Sequence, residues 1–277
     1  MTILTFSAVL LVASFIAGLI GALTGLGGGV IIVPVLVLLF GVDIHHASGA
    51  ALISVISTSS GAAIPYIRSR LCNIRIGMFL EMATTAGAVV GAYLATKMSA
   101  SIIAVIFGAI LLHAAYSSIK REDDGKPGKQ DGLAKRLKLG GRYPGGDGDI
   151  KYTVHHVPAG FSLMFLAGGL SGLLGIGSGA LKVLAMDQVM GMPFKVSTTT
   201  STFMIGVTAA AGAGVYLKRG YIEPGLAMSV MLGVLVGSVL GAQLLPKLKT
   251  KTLRIIFATV ISLVAMQMIY KGLTGGM

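Results

Sequence analysis

Long apolar stretches that carry almost no charge are the feature that most restricts what this chain can fold into. Only 12% of its 277 residues are charged and 54% are hydrophobic, whereas ordinary soluble domains hold about 25% charged residues. Outside residues 120–157, the acids are limited to Asp43, Glu81, Asp187 and Glu223. Since a helix needs about 20 apolar residues to cross the hydrocarbon of a bilayer, the pattern predicts an all-α polytopic membrane protein surrounded by lipid.

Five apolar segments precede the one strongly polar stretch, and five follow it. The first set covers 5–23, 30–40, 47–66, 76–97 and 101–119, and the second covers 158–174, 180–190, 196–217, 224–245 and 252–270. The second segment of each set has only eleven residues, which as a helix span about 16 Å, or half a membrane. We therefore predict a transmembrane repeat over residues 1–119 and a second over 158–277.

The stretch between them, residues 120–157, mixes both charge signs with glycine and proline. Such a composition cannot bury enough apolar surface to fold by itself. We expect it to be a charged linker rather than a regulatory domain.

The two halves repeat each other at a fixed offset of 150 residues. Phe15, Gly18, Gly25, Gly27, Gly29 and Gly41 correspond without a gap to Phe165, Gly168, Gly175, Gly177, Gly179 and Gly191, and Tyr66, Gly87, Gly91, Lys97 and Phe107 correspond to Tyr216, Gly237, Gly241, Lys247 and Phe257. A register kept over more than a hundred residues indicates an internal duplication. The pairs Gly87 with Gly91 and Gly237 with Gly241 have the GxxxG spacing that allows close helix packing.

Loop charges predict how the two copies are oriented. Lysine and arginine accumulate in cytoplasmic loops, and the basic loop follows the third segment in the first copy but the fourth in the second. Placing the linker in the cytoplasm and inverting the second copy puts 17 bases inside and four outside, with Lys182 left in the membrane. The prediction is therefore two inverted-topology repeats in a cell (inner) membrane, with residues 120–157 cytoplasmic.

A glycine-rich break precedes the half-length helix of each copy. Inverted repeats with interrupted helices are typical of secondary transporters, whose substrates bind near the midplane where the breaks meet. Free N–H groups at a helix start attract anions, and hydroxyl groups can donate to oxyanion oxygens without adding charge. Close helix packing is the alternative role for the glycines. The predicted substrate-binding residues are Thr24, Gly27, Gly28, Gly29, Ser57, Gly175, Gly177, Ser178, Gly179, Lys182 and Thr200.

Two charged residues in the apolar segments stand out. Lys182 lies about one turn into the second half-length helix, and a base inside the membrane is costly unless it faces a cavity or a partner. An anionic substrate would be such a partner, and a position near the cytoplasmic interface is the alternative. Glu81 lies in the fourth segment and would either pair with a base or carry a coupling proton.

The Gly-Leu-Gly-Gly-Gly run at residues 25–29, the residues Val30 to Pro34, the Ala47-Ser48-Gly49 helix start and the glycine-rich duplication resemble the sulfite exporter TauE/SafE family. The resemblance implies a transporter, an exporter, of small sulfur-containing anions such as sulfoacetate, sulfite or thiosulfate, working by alternating access. The second copy differs in having Ser178 and Leu184 where the first has Gly28 and Pro34.

Other classes of function fit the sequence less well. The motifs of metalloproteases, phosphate-binding loops and serine hydrolases are missing, so we expect no enzymatic activity, cofactor or metal. The net charge of +12 is accounted for by topology rather than by nucleic-acid binding. An anion channel, or a carrier of carboxylate, sulfate or phosphate, is the alternative function. A homodimer is a possible assembly, although lipid contact explains the apolar surface without one.

Overall fold

The computed structural model of the protein describes residues 3–94, 100–120, 131–145, 148–174 and 178–274. The first half contains α1 (Ile3–Thr24), α2 (Gly29–Pro34) with a π-helical extension (Val35–Leu39), α3 (Ile44–Arg68), α4 (Ile74–Leu94) and α5 (Ala100–Lys120). Between the halves lie α6 (Gly132–Arg136), β1 (Gly141–Gly145) and β2 (Gly148–Tyr152). The second half contains α7 (Val157–Leu174), α8 (Gly179–Leu184) with a π-helical extension (Ala185–Val189), α9 (Phe194–Lys218), α10 (Pro224–Leu244), a 3₁₀ turn (Leu245–Lys247) and α11 (Thr250–Thr274).

The predicted all-α membrane architecture is confirmed at the level of its helices. Within the described residues, six helices are long and apolar enough to cross a membrane. Many large apolar side chains lie on the outside of the bundle, among them Leu39, Val89 and Leu263. A soluble monomer rarely exposes such extensive apolar surface, whereas lipid covers it in a membrane.

The duplication is visible in where the helices begin. Helices α8, α9, α10 and α11 begin 150 residues after α2, α3, α4 and α5, respectively, and the two π-helical extensions also keep this offset. The repeats are interleaved rather than side by side, because α1 packs against α10 and α7 packs against α4.

Glycines allow these interleaved helices to approach closely. A Cβ atom on Gly87 would overlap the carbonyl oxygen of Phe165, and one on Gly237 would overlap that of Phe15. Gly237 is the equivalent of Gly87, and Phe15 is the equivalent of Phe165, so the second contact repeats the first with the two repeats exchanged. The GxxxG pairs thus serve helix packing, as their spacing predicts.

In both halves the first two helices form a hairpin. The chain reverses after Thr24 through Gly25 and Gly27, both at φ +77°, a conformation that glycine adopts without steric cost. The ring of Phe40, just beyond the π-helical extension, lies 4.8 Å from that of Phe6 near the start of α1. The short second segment therefore returns along α1.

The second hairpin closes in a comparable way. The backbone N–H of His155, just before α7, donates to the carbonyl of Met190 at 3.0 Å. The end of the second half-length segment is thereby held beside the start of α7.

The described residues of the linker contain regular structure. Strands β1 and β2 form an antiparallel hairpin, so the fold is not purely α. Leu139, Tyr152 and Val154 are buried in one apolar cluster with membrane-helix residues such as Ile76 and Met186. By its composition the linker has too little apolar surface to fold alone. The helix bundle supplies the apolar surface against which the linker residues pack.

Candidate functional site

A buried ion pair links the two repeats at the level of the second half-length helix. The Nζ atom of Lys182 on α8 lies 2.8 Å from Oε2 of Glu81 on α4, and the exposed fractions of the two side chains are 0% and 7%. Lys182 also donates to Oγ1 of Thr208 on α9 at 2.8 Å, and Thr208 donates to Oε1 of Glu81 at 2.5 Å. Three helices from both repeats thus contribute to one polar triad.

The surroundings of this triad make its charges mutually dependent. Among the described residues, the other polar group near the carboxylate of Glu81 is the hydroxyl of Thr85, at 3.4 Å. Charges removed from water in this way are retained only when they are paired and hydrogen-bonded. Lys182 therefore needs one negative partner, and Glu81 is that partner in this conformation.

The duplicated positions in the other half carry no such pair. A shift of 150 residues relates Lys182 to Ile32, Glu81 to Met231 and Thr208 to Thr58. Ile32 is fully buried in an apolar cluster, and the hydroxyl of Thr58 accepts the N–H of Gly28 at 3.1 Å. The backbone architecture is duplicated, but the ion pair is placed once.

The break of the first hairpin contacts the start of α8. A Cβ atom on Gly179 would lie 2.6 Å from the carbonyl oxygen of Gly25 and 2.7 Å from Cα of Leu26. The hydroxyl of Ser201 lies between the two elements, 2.9 Å from the carbonyl oxygen of Gly25 and 3.2 Å from that of Gly179. The described parts of the two hairpins are therefore packed together around Ser201.

The glycines of the first break have little free space. A Cβ atom on Gly27 would lie 2.8 Å from Cδ1 of Ile205, and one on Gly29 would lie 2.7 Å from Cγ2 of Val55. Gly28 faces the hydroxyls of Ser54 and Thr58. In this conformation these glycines allow close helix packing, which is the alternative role that the sequence offered for them. A ligand reaches their amides only if the neighbouring helices separate.

Three predicted hydroxyls are engaged within their own helices or in a turn. The hydroxyl of Thr24 donates to the carbonyl of Ile20 at 2.8 Å, and that of Ser57 donates to the carbonyl of Ile53 at 2.9 Å. The hydroxyl of Thr200 accepts the N–H of Asn73 at 3.1 Å. The structure does not bring these groups to the Lys182 triad.

Other polar atoms near the breaks have no partner within the described part of the chain. The hydroxyls of Ser54, Ser178 and Ser197 are buried without a hydrogen bond there. Buried hydroxyls of this kind are uncommon in folded proteins. Within that part of the chain, they are unused hydrogen-bonding groups around the breaks. The predicted residues Gly175 and Gly177 lie outside the described residues.

A second buried ion pair was not anticipated from the sequence. The guanidinium of Arg254 on α11 binds the carboxylate of Asp187 with two hydrogen bonds of 2.8 and 3.0 Å. The guanidinium also stacks 4.6 Å from the ring centre of Phe194. Loop charge counting placed Arg254 among cytoplasmic bases, but its side chain is buried. The apolar context of Asp187 was the available signal, since an acid in such a segment requires a partner.

Several other titratable side chains lie apart from the triad. Within the described residues, no group of three or more His, Cys, Asp or Glu side chains is placed to hold a metal ion. Asp43 and His46 approach to 3.4 Å at an exposed turn, and His113 is exposed on α5. Burial raises the pKa of Cys72, in the turn between α3 and α4, to about 11, so its thiol is protonated at neutral pH.

The hairpins, the apolar exterior and the charged triad inside the bundle define a multi-pass helical membrane protein with a polar site between its two repeats. The sequence model of the family described as "Sulfite exporter TauE/SafE" matches residues 10–268. The chain belongs to this family, as the glycine-rich motif predicts.

Relatives of similar length carry transporter names. The chain is 30% identical over 274 residues to "Probable membrane transporter protein YunE" of Bacillus subtilis, covering 96% of this chain and 98% of the relative. It is 23% identical to "Probable membrane transporter protein MJ0441" of Methanocaldococcus jannaschii, covering 94% of each chain. No solved structure matches. The family and these relatives identify the chain as a membrane transporter of the TauE/SafE type.

Proposed function

We propose that the protein is a secondary transporter that exports a small sulfur-containing oxyanion, such as sulfite, thiosulfate or sulfoacetate. The observation that carries the proposal is the buried Lys182, which is paired between the two repeats with the carboxylate of Glu81. In the proposed mechanism the transported anion takes the place of that carboxylate. The substrate class rests on the description of the family. The three unpartnered serine hydroxyls near the breaks would supply neutral donors to the oxygens of the anion.

The proposal assigns the two repeats opposite orientations in the membrane. Each repeat consists of a hairpin that returns to its starting side, followed by three long helices. Three further crossings place the end of each repeat opposite to its start, so consecutive repeats are inverted. The exchanged glycine contacts of α4 with α7 and of α10 with α1 support this arrangement. We propose a location in the cell inner membrane, where the positive-inside rule predicts that the linker is cytoplasmic.

Charge balance suggests how transport of the substrate is coupled to a proton. Lys182 can neutralise one negative group at a time, so an anion that binds it leaves Glu81 without a partner. Protonation of Glu81 resolves this, because a neutral carboxyl group is far less costly in apolar surroundings. Among the described residues, the groups that face Glu81 are Lys182 from α8, Thr208 from α9 and Thr85 from α4 itself. The anion and one proton therefore travel together.

This stoichiometry is compatible with export. A dianion that carries one proton moves with one net negative charge. An inside-negative membrane potential favours its exit by about 2.3 kcal/mol per 100 mV. The chain then needs no ATP hydrolysis, in keeping with the lack of a phosphate-binding loop motif.

The test is transport by purified protein in proteoliposomes. We expect sulfite-loaded vesicles to exchange internal for external labelled sulfite, with saturation, and to release protons together with sulfite. Flux that neither saturates nor shows exchange would favour a channel. Saturable exchange of phosphate or acetate, but not of any sulfur anion, would overturn the substrate class.

A Lys182→Met variant distinguishes the site from the general function. We expect it to lose transport, and to lose part of the thermal stabilisation that sulfite gives to the detergent-purified wild type. Stabilisation by a ligand follows its concentration relative to Kd, so even weak binding is detectable at high ligand concentration. Stabilisation of the same size as in the wild type would remove Lys182 from the site while keeping the transporter.

A further inference from the structure

A cavity on the linker side of the bundle has three cationic side chains among its eight lining residues. It has a volume of about 360 Å³, which is within the range of small-molecule pockets. Arg68 and Arg70 from the turn after α3 and Lys195 from the start of α9 line it, while the linker hairpin contributes Asp149. Three bases and one acid give the lining a net positive charge.

In the part of the chain that the structure describes, neither Arg68 nor Arg70 forms an ion pair with a carboxylate. Lys195 donates to the carbonyl of Pro246 at 3.0 Å, which fixes its ammonium group at the cavity wall. Arginine is suited to bidentate recognition of oxyanions.

The backbone conformation of Arg70 is the second observation. Arg70 has φ +55°, a left-handed conformation that glycine adopts easily and that is strained for a long side chain. It ends α3 in a Schellman motif, with hydrogen bonds from Arg70 N to Ile67 O and from Leu71 N to Tyr66 O. These bonds are the ones expected for this helix end.

The duplicated half makes the same turn with the expected residue. Gly220 takes the equivalent position at φ +73°, and the bonds from Gly220 N to Leu217 O and from Tyr221 N to Tyr216 O repeat the pattern. The first repeat thus has an arginine where the identical turn in the second repeat has a glycine. Strained residues of this kind cluster at functional sites.

The cavity is connected to the breaks through α9. Leu71, which lines the cavity, accepts a hydrogen bond from the Thr199 hydroxyl at 2.8 Å. Ser201, which contacts both hairpins, follows two residues later. From Lys195 to Ser201 the helix rises about 9 Å, and the intervening hydroxyl side chains are fully buried.

We propose that this cavity is a second anion site, in which Arg68, Arg70 and Lys195 collect a small, doubly charged oxyanion from the linker side before it reaches the breaks. The inference deepens the proposed function, on which the identity of the transported anion rests. Asp149 on the linker hairpin forms part of the wall and limits how much negative charge the site holds.

The decisive variant is Arg70→Gly. It removes the guanidinium and installs the residue that the same turn has in the second repeat, so the turn is retained. Arg142→Gln is the matched control, because Arg142 is an exposed base of the linker hairpin that does not line the cavity.

Binding is measured in a background that lacks the central charges. In the double variant Lys182→Ile, Glu81→Met, sulfite or sulfate that still binds, at constant ionic strength adjusted with chloride, is assigned to the cavity. We expect thermal-shift titration to give a Kd that Arg70→Gly raises at least fivefold, with less than a twofold change in Arg142→Gln. An unchanged Kd in Arg70→Gly, or no binding in the background protein, would overturn the proposal.

Two further readouts separate it from neighbouring explanations. If anionic lipid fills the cavity, native mass spectrometry will show phosphatidylglycerol bound to the background protein but not to Arg70→Gly, and sulfite will not bind. That outcome would also overturn the proposal of a second anion site. In proteoliposomes, Arg70→Gly should raise the KM for sulfite from the linker side about fivefold, with the maximal rate within twofold. If the wild type transports no sulfur anion, the proposed function fails, yet the binding titration still decides whether the cavity is an anion site.

Discussion

The pair formed by Lys182 and Glu81 allows a sharp test, because the chain itself supplies an apolar replacement. The equivalent positions in the other half are Ile32 and Met231. The test comprises the single variants Lys182→Ile and Glu81→Met and the double variant that carries both. The double variant gives this place the residues that the duplicated place already accommodates.

The magnitudes follow from distance and burial. At 2.8 Å, two unit charges attract by roughly 6 kcal/mol at an effective dielectric constant of about 20. Removing one partner of a buried pair costs about 3–5 kcal/mol, because the other charge is left unpaired, whereas replacing both partners with apolar residues is neutral or stabilising by about 1–4 kcal/mol. The hydroxyl of Thr208 keeps an alternative acceptor in the carbonyl of Met204, at 3.5 Å.

The assay is thermal unfolding of the detergent-purified protein. A chain of this size loses about 2 °C per kcal/mol, so each single variant should melt roughly 6–10 °C below the wild type, and the double variant should recover most of the loss. The folded double variant should be inactive in transport, which assigns the loss to the charges. A double variant as unstable as the singles would refute the argument that unpaired charge causes the destabilisation. A single variant with an unchanged melting temperature would refute the burial of the pair.

Three further predictions concern other parts of the molecule. Arg254→Met removes the two charged hydrogen bonds that the guanidinium gives to the buried carboxylate of Asp187 and should lower the free energy of unfolding by about 3–5 kcal/mol; a loss below about 1 kcal/mol would contradict the buried geometry. Because burial raises the pKa of Cys72 to about 11, its alkylation at pH 8 should be about 100-fold slower than that of a free thiol and should rise about tenfold per pH unit; a flat pH profile would contradict this. In a Cys72→Ala background, a cysteine at Lys151 should react only with a membrane-permeant maleimide in intact cells, and one at Lys218 also with an impermeant reagent; the reverse pattern would invert the proposed topology.

Much of the architecture could be predicted because its causes are local. A helix buried in lipid satisfies its own backbone hydrogen bonds, so apolar length alone locates it, and the predicted 30–40 segment corresponds to α2 with its π-helical extension, 29–39. The reversal after Thr24 depends on glycines with positive φ, which the sequence also displays. The offset of 150 residues needed only comparison of the chain with itself.

The contacts between distant residues could not be predicted in the same way. Lys182 and Glu81 are separated by 101 positions, and no periodicity within either helix relates them. The cost of an isolated intramembrane charge indicates that each needs a partner, but packing of α4 against α9 decides which one. The regular structure of the described linker residues was not predicted for a related reason. Tyr152 and Leu139 are buried by residues of the membrane helices, and the composition of the linker gives no information about those residues.

The proposed coupling depends on a difference between the two repeats. In the proposed mechanism, alternating access is a movement of one repeat against the other around the site. A fully symmetric interior would hold two such pairs, and both would have to be opened during each cycle. Here the pair joins Lys182 of the second repeat to Glu81 of the first, while the equivalent positions hold Ile32 and Met231, so in the proposed cycle one anion and one proton replace a single pair. The residues that break the duplication, Lys182 in the bundle and Arg70 at its linker-side turn, are therefore the ones to which we assign the substrate.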